Sequence, residues 1–154
     1  MGPSLGSLLA MSEPAPTPGE EAVVCVAVGT LWTAPDRVRP VDEPALAVPA
    51  RPRDWVQSMS GADIADLTGR TLTQLLLGER VRVLELRGEW ARVVALGQPS
   101  SLDPNGYPGW IPTNQLSTVD GLHAAGVRVA ARHREGDAAQ DRSGIWHVVE
   151  ATAP

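Results

Sequence analysis

One thiol, three imidazoles and a short acidic turn are the groups whose types could do covalent or metal chemistry. Cys25 is the single cysteine among 154 residues, so no intramolecular disulfide forms and a nucleophilic role is the chemistry to test. It stands in Val23-Val24-Cys25-Val26-Ala27-Val28, an aliphatic run with strand character. A thiol packed among aliphatics keeps its proton and is unreactive, so the expectation is a buried core residue. His123, His133 and His147 follow no metal-ligand spacing, and no Cys or carboxylate cluster completes a site; they read as surface or loop residues. Asp103-Pro104-Asn105-Gly106 opens like a calcium loop, but the later oxygen ligands and the terminal Glu are missing, so it reads as a turn. No metal or cofactor is expected.

The elements around these groups are mainly β. Leu72–Leu77, Val81–Leu86 and Trp90–Leu96 are β-prone runs separated by Gly78-Glu79 and by Arg87-Gly88-Glu89, and Gly109-Trp110-Ile111-Pro112 gives a fourth. Such short strands must close on one another as a small barrel or sandwich. Arg87-Gly88-Glu89 predicts a three-residue bulged hairpin with Gly88 at positive φ. On the returning strand Ala91, Val93 and Ala95 share the face suited to a tight interior. Trp90, Arg92 and Val94 share the other, with Trp90 at the rim as packing or as a ligand shelf. Val23–Thr33 reads as one strand. From Ala34 onward Pro35, Pro40, Pro44, Pro49 and Pro52 forbid a ladder or a long helix. Asp54 is the expected cap of a helix through Trp55, Val56 and Met59, Ser60 or Asp63 starts a further turn with Ile64 and Leu67, and Gly69 ends it. Trp55, Met59, Ile64 and Leu67 are expected to pack on the barrel.

Three spaced segments then carry a resemblance: Thr73-Gln74-Leu75-Leu76-Leu77-Gly78-Glu79-Arg80-Val81, Gly88-Glu89-Trp90-Ala91-Arg92-Val93, and Gly106-Tyr107-Pro108-Gly109-Trp110-Ile111-Pro112. Together with Val26–Pro35 they resemble the N-terminal bacterial SH3-like domain of NlpC-type cell-wall cysteine peptidases, in the subgroup similar to dipeptidyl-peptidase VI, the γ-D-glutamyl-diamino-acid endopeptidases. The resemblance spans about Val23 to Leu116. It implies a mainly β, small SH3-like barrel with a long, partly helical RT-type loop. It also implies that a Tyr and a Glu hold the free amino terminus of the substrate's L-alanine. Tyr107 and Glu79 match those positions by motif, and Trp110, beside Tyr107, completes the candidate substrate-binding set. The family's nucleophile starts a helix and is followed by Ser-Gly, unlike Cys25, so no catalytic residue is assigned. The implied partners are a peptidoglycan-derived peptide with a free N-terminal L-Ala and a C-terminal catalytic domain.

Composition bounds the rest. A net charge of -5 without a basic cluster excludes a nucleic-acid binder. No run of about eighteen apolar residues offers a membrane-spanning helix. Residues 1–21 read as a disordered leader without the basic start and long apolar core of a secretory signal, so a cytoplasmic protein is expected and secretion is left open. Residues 22–118 form the SH3-like domain, and 119–154 read as a linker or the start of a second repeat, with strands expected at Gly126–Ala131 and Ile145–Val149. Two functions follow. One is the substrate-recognition module of a peptidoglycan-peptide endopeptidase whose Cys/His domain is not present in this chain. The alternative is a stand-alone binding module that docks wall peptide or a protein partner on Trp32, Trp90, Tyr107 and Trp110.

Overall fold

Seven short strands run antiparallel to their neighbours in the computed structural model, which describes residues 15–124. They are β1 (Glu21–Val24), β2 (Val28–Trp32), β3 (Thr71–Leu76), β4 (Arg80–Arg87), β5 (Trp90–Ala95), β6 (Tyr107–Pro112) and β7 (Leu116–Ser117), in the order β3-β2-β6-β5-β4-β1-β7. The mainly β, SH3-like reading holds. The expected strands at Gly126–Ala131 and Ile145–Val149, with His133 and His147, lie outside the described residues. No helix among the described residues is long and apolar enough to cross a membrane.

The interior is narrow, and its residues are small for that reason. Ala91, Val93 and Ala95 of β5 are all essentially inaccessible and join Ala22, Leu31 and Ile111 in one cluster, as their alternation predicts. Gly109 tightens it further: a Cβ there would lie 2.8 Å from the Leu31 Cβ. Val94, on the opposite face, is buried as well, because the sheet is covered on that side too.

Two expectations about the strands are corrected. Val23–Thr33 is two strands: the chain bends at Cys25–Ala27, where Cys25 N donates to Gln115 O (2.9 Å) and Leu77 N donates to Ala27 O (3.2 Å). β1 then pairs with β4 and β7, whereas β2 pairs with β3 and β6. Cys25 is therefore half-buried in a link, with its Sγ 3.5 Å from Asn114 O, and is no core residue. The hairpin at Gly88 is also shorter than expected. Arg87 pairs with Trp90, leaving the two-residue turn Gly88-Glu89, in which Gly88 alone takes positive φ (+57°). That backbone matches the twist of the flanking strands, and the bulge falls instead between Val83 and Glu85.

Residues 33–70 form the long excursion, with 3-10 turns at Pro35–Arg37 and Pro40–Asp42 and helices α1 (Glu43–Leu46), α2 (Pro52–Ser58) and α3 (Gly61–Ala65). Pro52 at the first position, with its preset φ, starts α2 after Arg51; Asp54 sits within the first turn and is not the cap. Ser60 does cap α3, its Oγ accepting from Asp63 N at 3.1 Å. Trp55 is buried 6.0 Å (centroid to centroid) from Trp32, and with Trp110 and Ala45 they form a second cluster, on which Met59, Leu67 and Trp90 pack. Ile64, expected to pack on the barrel with Trp55, Met59 and Leu67, is 48% exposed instead. A further helix, α4 (Val119–Ala124), follows β7 and carries His123 on its exposed side.

Candidate functional site

The β3–β4 turn positions Glu79. Glu79 N donates to Leu76 O at 3.0 Å, and Gly78 between them takes φ +85°, the conformation such a turn requires. Gly78 N then donates to Val24 O (2.8 Å) and Val24 N to Glu79 O (3.0 Å), so the turn is pinned to β1. The Glu79 carboxylate folds back to accept from Leu76 N, and its other oxygen accepts from Gln98 Nε2 at 3.4 Å.

Gln98 is the residue that sequence reasoning missed. Its Nε2 also donates to Gln74 O (2.9 Å), and its Oε1 accepts from Thr73 Oγ1 (2.7 Å). One amide thus ties the β5–β6 connection to the edge strand β3 and to Glu79. Nothing in the local pattern around Gly97-Gln98 marks it, since its partners lie 19 to 25 residues away.

Tyr107 opens β6 opposite Ala95, which itself faces Val81 on β4. Two strand spacings, about 10 Å, separate Tyr107 from Val81, and Glu79 lies just before Val81. Tyr107 and Glu79 therefore stand at the same end of the sheet. The Tyr107 ring packs on the main core, and its hydroxyl has no hydrogen-bond partner among the described residues. The preceding turn is as expected: Asn105 N donates to the Asp103 carboxylate at 2.8 Å. Among the described residues no group of three or more His, Cys, Asp or Glu side chains is placed to hold a metal ion.

Trp110 is brought to neither. It lies three residues further along β6, hence on the opposite face, opposite Trp32 and Arg92. It is 8% exposed, with the Arg87 guanidinium 4.6 Å above its ring. Trp32 is wholly buried. The excursion thus covers most of the aromatic surface expected for a stand-alone binding module; of Trp32, Trp90, Tyr107 and Trp110, only Trp90 and Tyr107 are half-exposed.

Residues 67–116 match the family model described as the bacterial dipeptidyl-peptidase SH3 domain. The chain is 40% identical over 99 residues to a γ-D-glutamyl-L-lysine dipeptidyl-peptidase of Bacillus cereus, covering 63% of this chain and 30% of that protein. The same identity holds over 102 residues of the Bacillus subtilis protein of that name, covering 65% and 34%. A crystal structure of an NlpC/P60 family protein from Bacillus cereus superposes with a TM-score of 0.65 at 37% identity, over 69% of this chain and 35% of that one. The chain spans about a third of the length of the curated relatives it matches, and the matched part is the SH3 domain.

Proposed function

We propose that this chain, built around a bacterial dipeptidyl-peptidase SH3 domain, is the substrate-recognition module of a γ-D-glutamyl-diamino-acid endopeptidase acting on peptidoglycan-derived peptides. What supports the reading is that Tyr107 and Glu79 stand at the same end of the sheet, on the positions that the family resemblance marks for substrate. An ionised carboxylate has about four lone-pair sites, and each Glu79 oxygen accepts one described hydrogen bond, from Leu76 N or from Gln98. Capacity remains for a charge-assisted bond to an ammonium group. The unpartnered Tyr107 hydroxyl accepts a second N–H from the same group. A site that needs both acceptors selects peptides whose N-terminal alanine is free and rejects those still acylated on that nitrogen. Trp110 supports this from behind the sheet, through the β6 backbone it anchors.

Titrating the labelled chain with L-Ala-γ-D-Glu-diaminopimelate is expected to shift the resonances of Glu79 and Tyr107, and the N-acetylated peptide is expected not to. Glu79→Gln keeps an acceptor for Leu76 N but loses the charge, and should weaken binding about tenfold. Shifts confined to Trp55, or identical responses to both peptides, would refute the site.

Hydrolysis, on this reading, belongs to a Cys/His catalytic domain that acts together with this module. Cys25 has neither the following Ser-Gly nor a helix start, so the chain alone is expected to release no diaminopimelate. Release that disappears in Cys25→Ser would show the opposite.

A further inference from the structure

Among the described residues the Glu79 carboxylate enters no ion pair. The side chain that donates to it is a neutral amide, that of Gln98. Both residues are half-buried. The chemistry of the neighbours leaves that amide a single orientation. Gln74 O and the Glu79 carboxylate can only accept, so the Nε2 hydrogens face them, at 2.9 and 3.4 Å, and Oε1 takes the Thr73 hydroxyl at 2.7 Å. A flipped amide would set its oxygen against two acceptors.

The backbone places this amide between the two halves of the site. Gln98 N donates to Ala95 O at 3.2 Å, turning the chain at the end of β5, and Ala95 is the residue paired with Tyr107. The side chain then reaches Gln74 on β3 and Glu79 in the β3–β4 turn. Leu76 N occupies one Glu79 oxygen, Oε2, whereas Oε1 receives the long bond from Gln98. Oε1 is therefore the oxygen with acceptor capacity left, and Gln98 sets its direction.

Given Glu79 as the acceptor of the substrate ammonium, the reading on which this role rests, we propose that Gln98 is the positioning residue that makes the site specific for an amine. It aims Glu79 Oε1 with a neutral donor and leaves the negative charge for the incoming ammonium, whose charge-assisted bond is the stronger one. A cation at position 98 would hold the same carboxylate but defeat it. A lysine ammonium there donates to Gln74 O, Glu79 Oε1 and Thr73 Oγ1, all of which can accept, and so takes the place of the substrate's own ammonium.

Gln98→Lys and Gln98→Met test this, with L-Ala-γ-D-Glu-diaminopimelate titrated into the labelled full chain and the Tyr107 resonance as readout. Gln98→Met removes the donor and should weaken binding about five-fold, as for one hydrogen bond. Gln98→Lys should weaken it more, about tenfold or beyond, although its Tm is no lower than that of Gln98→Met. A side chain that only braced the fold would give the opposite order, since the lysine keeps the bonds that methionine loses. In the Glu79→Gln background, with no charge left to aim, Gln98→Met should cost less affinity than in the native chain. Binding by Gln98→Lys at least as tight as by Gln98→Met, a lower Tm for the lysine variant, or equal losses from Gln98→Met in the two backgrounds would overturn the proposal. If the native chain answers the free and the N-acetylated peptide alike, the amine site itself fails and the role of Gln98 with it. If the native chain tells them apart and Gln98→Met binds as the native does, the role of Gln98 alone is overturned.

Discussion

Asp42→Ala is expected to destabilise the domain by about 3–5 kcal/mol, the usual cost of removing one partner of a buried ion pair. Asp42 is completely inaccessible and each of its oxygens is used. One accepts from Arg39 N (2.8 Å) and Arg39 Nε (3.0 Å), the other from Arg39 Nη2 (2.9 Å) and Trp55 Nε1 (2.9 Å). Truncation leaves a guanidinium that is 13% exposed without its main counter-charge and an indole N–H in the second core without an acceptor. Because Arg39 Nη1 also donates to Asp63 O at 2.9 Å, the same carboxylate indirectly fixes α3. Since domains of this size hold only about 5–15 kcal/mol of stability, the loss should appear as a large fall in urea midpoint. Arg39→Met combined with Asp42→Leu should recover only part of it, because the Trp55 indole stays unsatisfied.

The same carboxylate fixes a pH dependence. Burial pushes its pKa up, but the hydrogen bonds from Arg39 and Trp55 outweigh that and hold it below the ordinary value. With the folded pKa depressed, the unfolded chain takes up the proton first as pH falls. The stabilisation is therefore complete above the unfolded carboxylate value of about 4 and is lost progressively below it. Denaturant midpoints taken from pH 7 down to 3 should fall more steeply in the native protein than in Asp42→Ala. Parallel curves would show that Asp42 is not the source.

The hairpins were legible in the sequence because alternation and glycine turns are local: Ala91, Val93 and Ala95 face inward as their period of two requires. The break at Cys25 was not legible, since Val23–Thr33 is β-prone throughout and the bend is imposed by pairing with Gln115 and Leu77, far away in the chain. The excursion shows the same limit. Its prolines announce an irregular path, and Ser60-x-x-Asp63 announces a cap. Arg39 and Asp42, however, look like ordinary loop charges until Trp55 is brought over them; the one local hint is their spacing of three across Pro40. At the candidate site, Tyr107 and Glu79 could be named through the motifs, whereas Gln98 could not. Trp110 looked like an exposed aromatic because nothing in a sequence tells which face of a strand the excursion will cover.

Gly106→Ala is expected to cost about 3 kcal/mol or more and to damage the candidate site along with the fold. Gly106 has φ +150°, a region that residues with a Cβ rarely enter. A Cβ built there would lie 2.0 Å from Ala95 O and 2.8 Å from Ala95 C, both backbone atoms of the central strand β5, which cannot swing aside as a flexible side chain could. Relief requires the start of β6 to move, and the next residue is Tyr107, paired with that same Ala95. Gly88 is the internal control. It also has positive φ, +57°, but a Cβ there meets nothing within 4 Å, so Gly88→Ala bears only the left-handed backbone penalty of about 1–2 kcal/mol. Thermal unfolding should therefore show a fall of more than about 10 °C for Gly106→Ala and a clearly smaller one for Gly88→Ala. In the variant chain below its lowered Tm, the Tyr107 response to L-Ala-γ-D-Glu-diaminopimelate should be lost for Gly106→Ala and retained for Gly88→Ala. Equal stability losses in the two would mean that conformation alone, and not the approach to Ala95, makes glycine necessary before Tyr107.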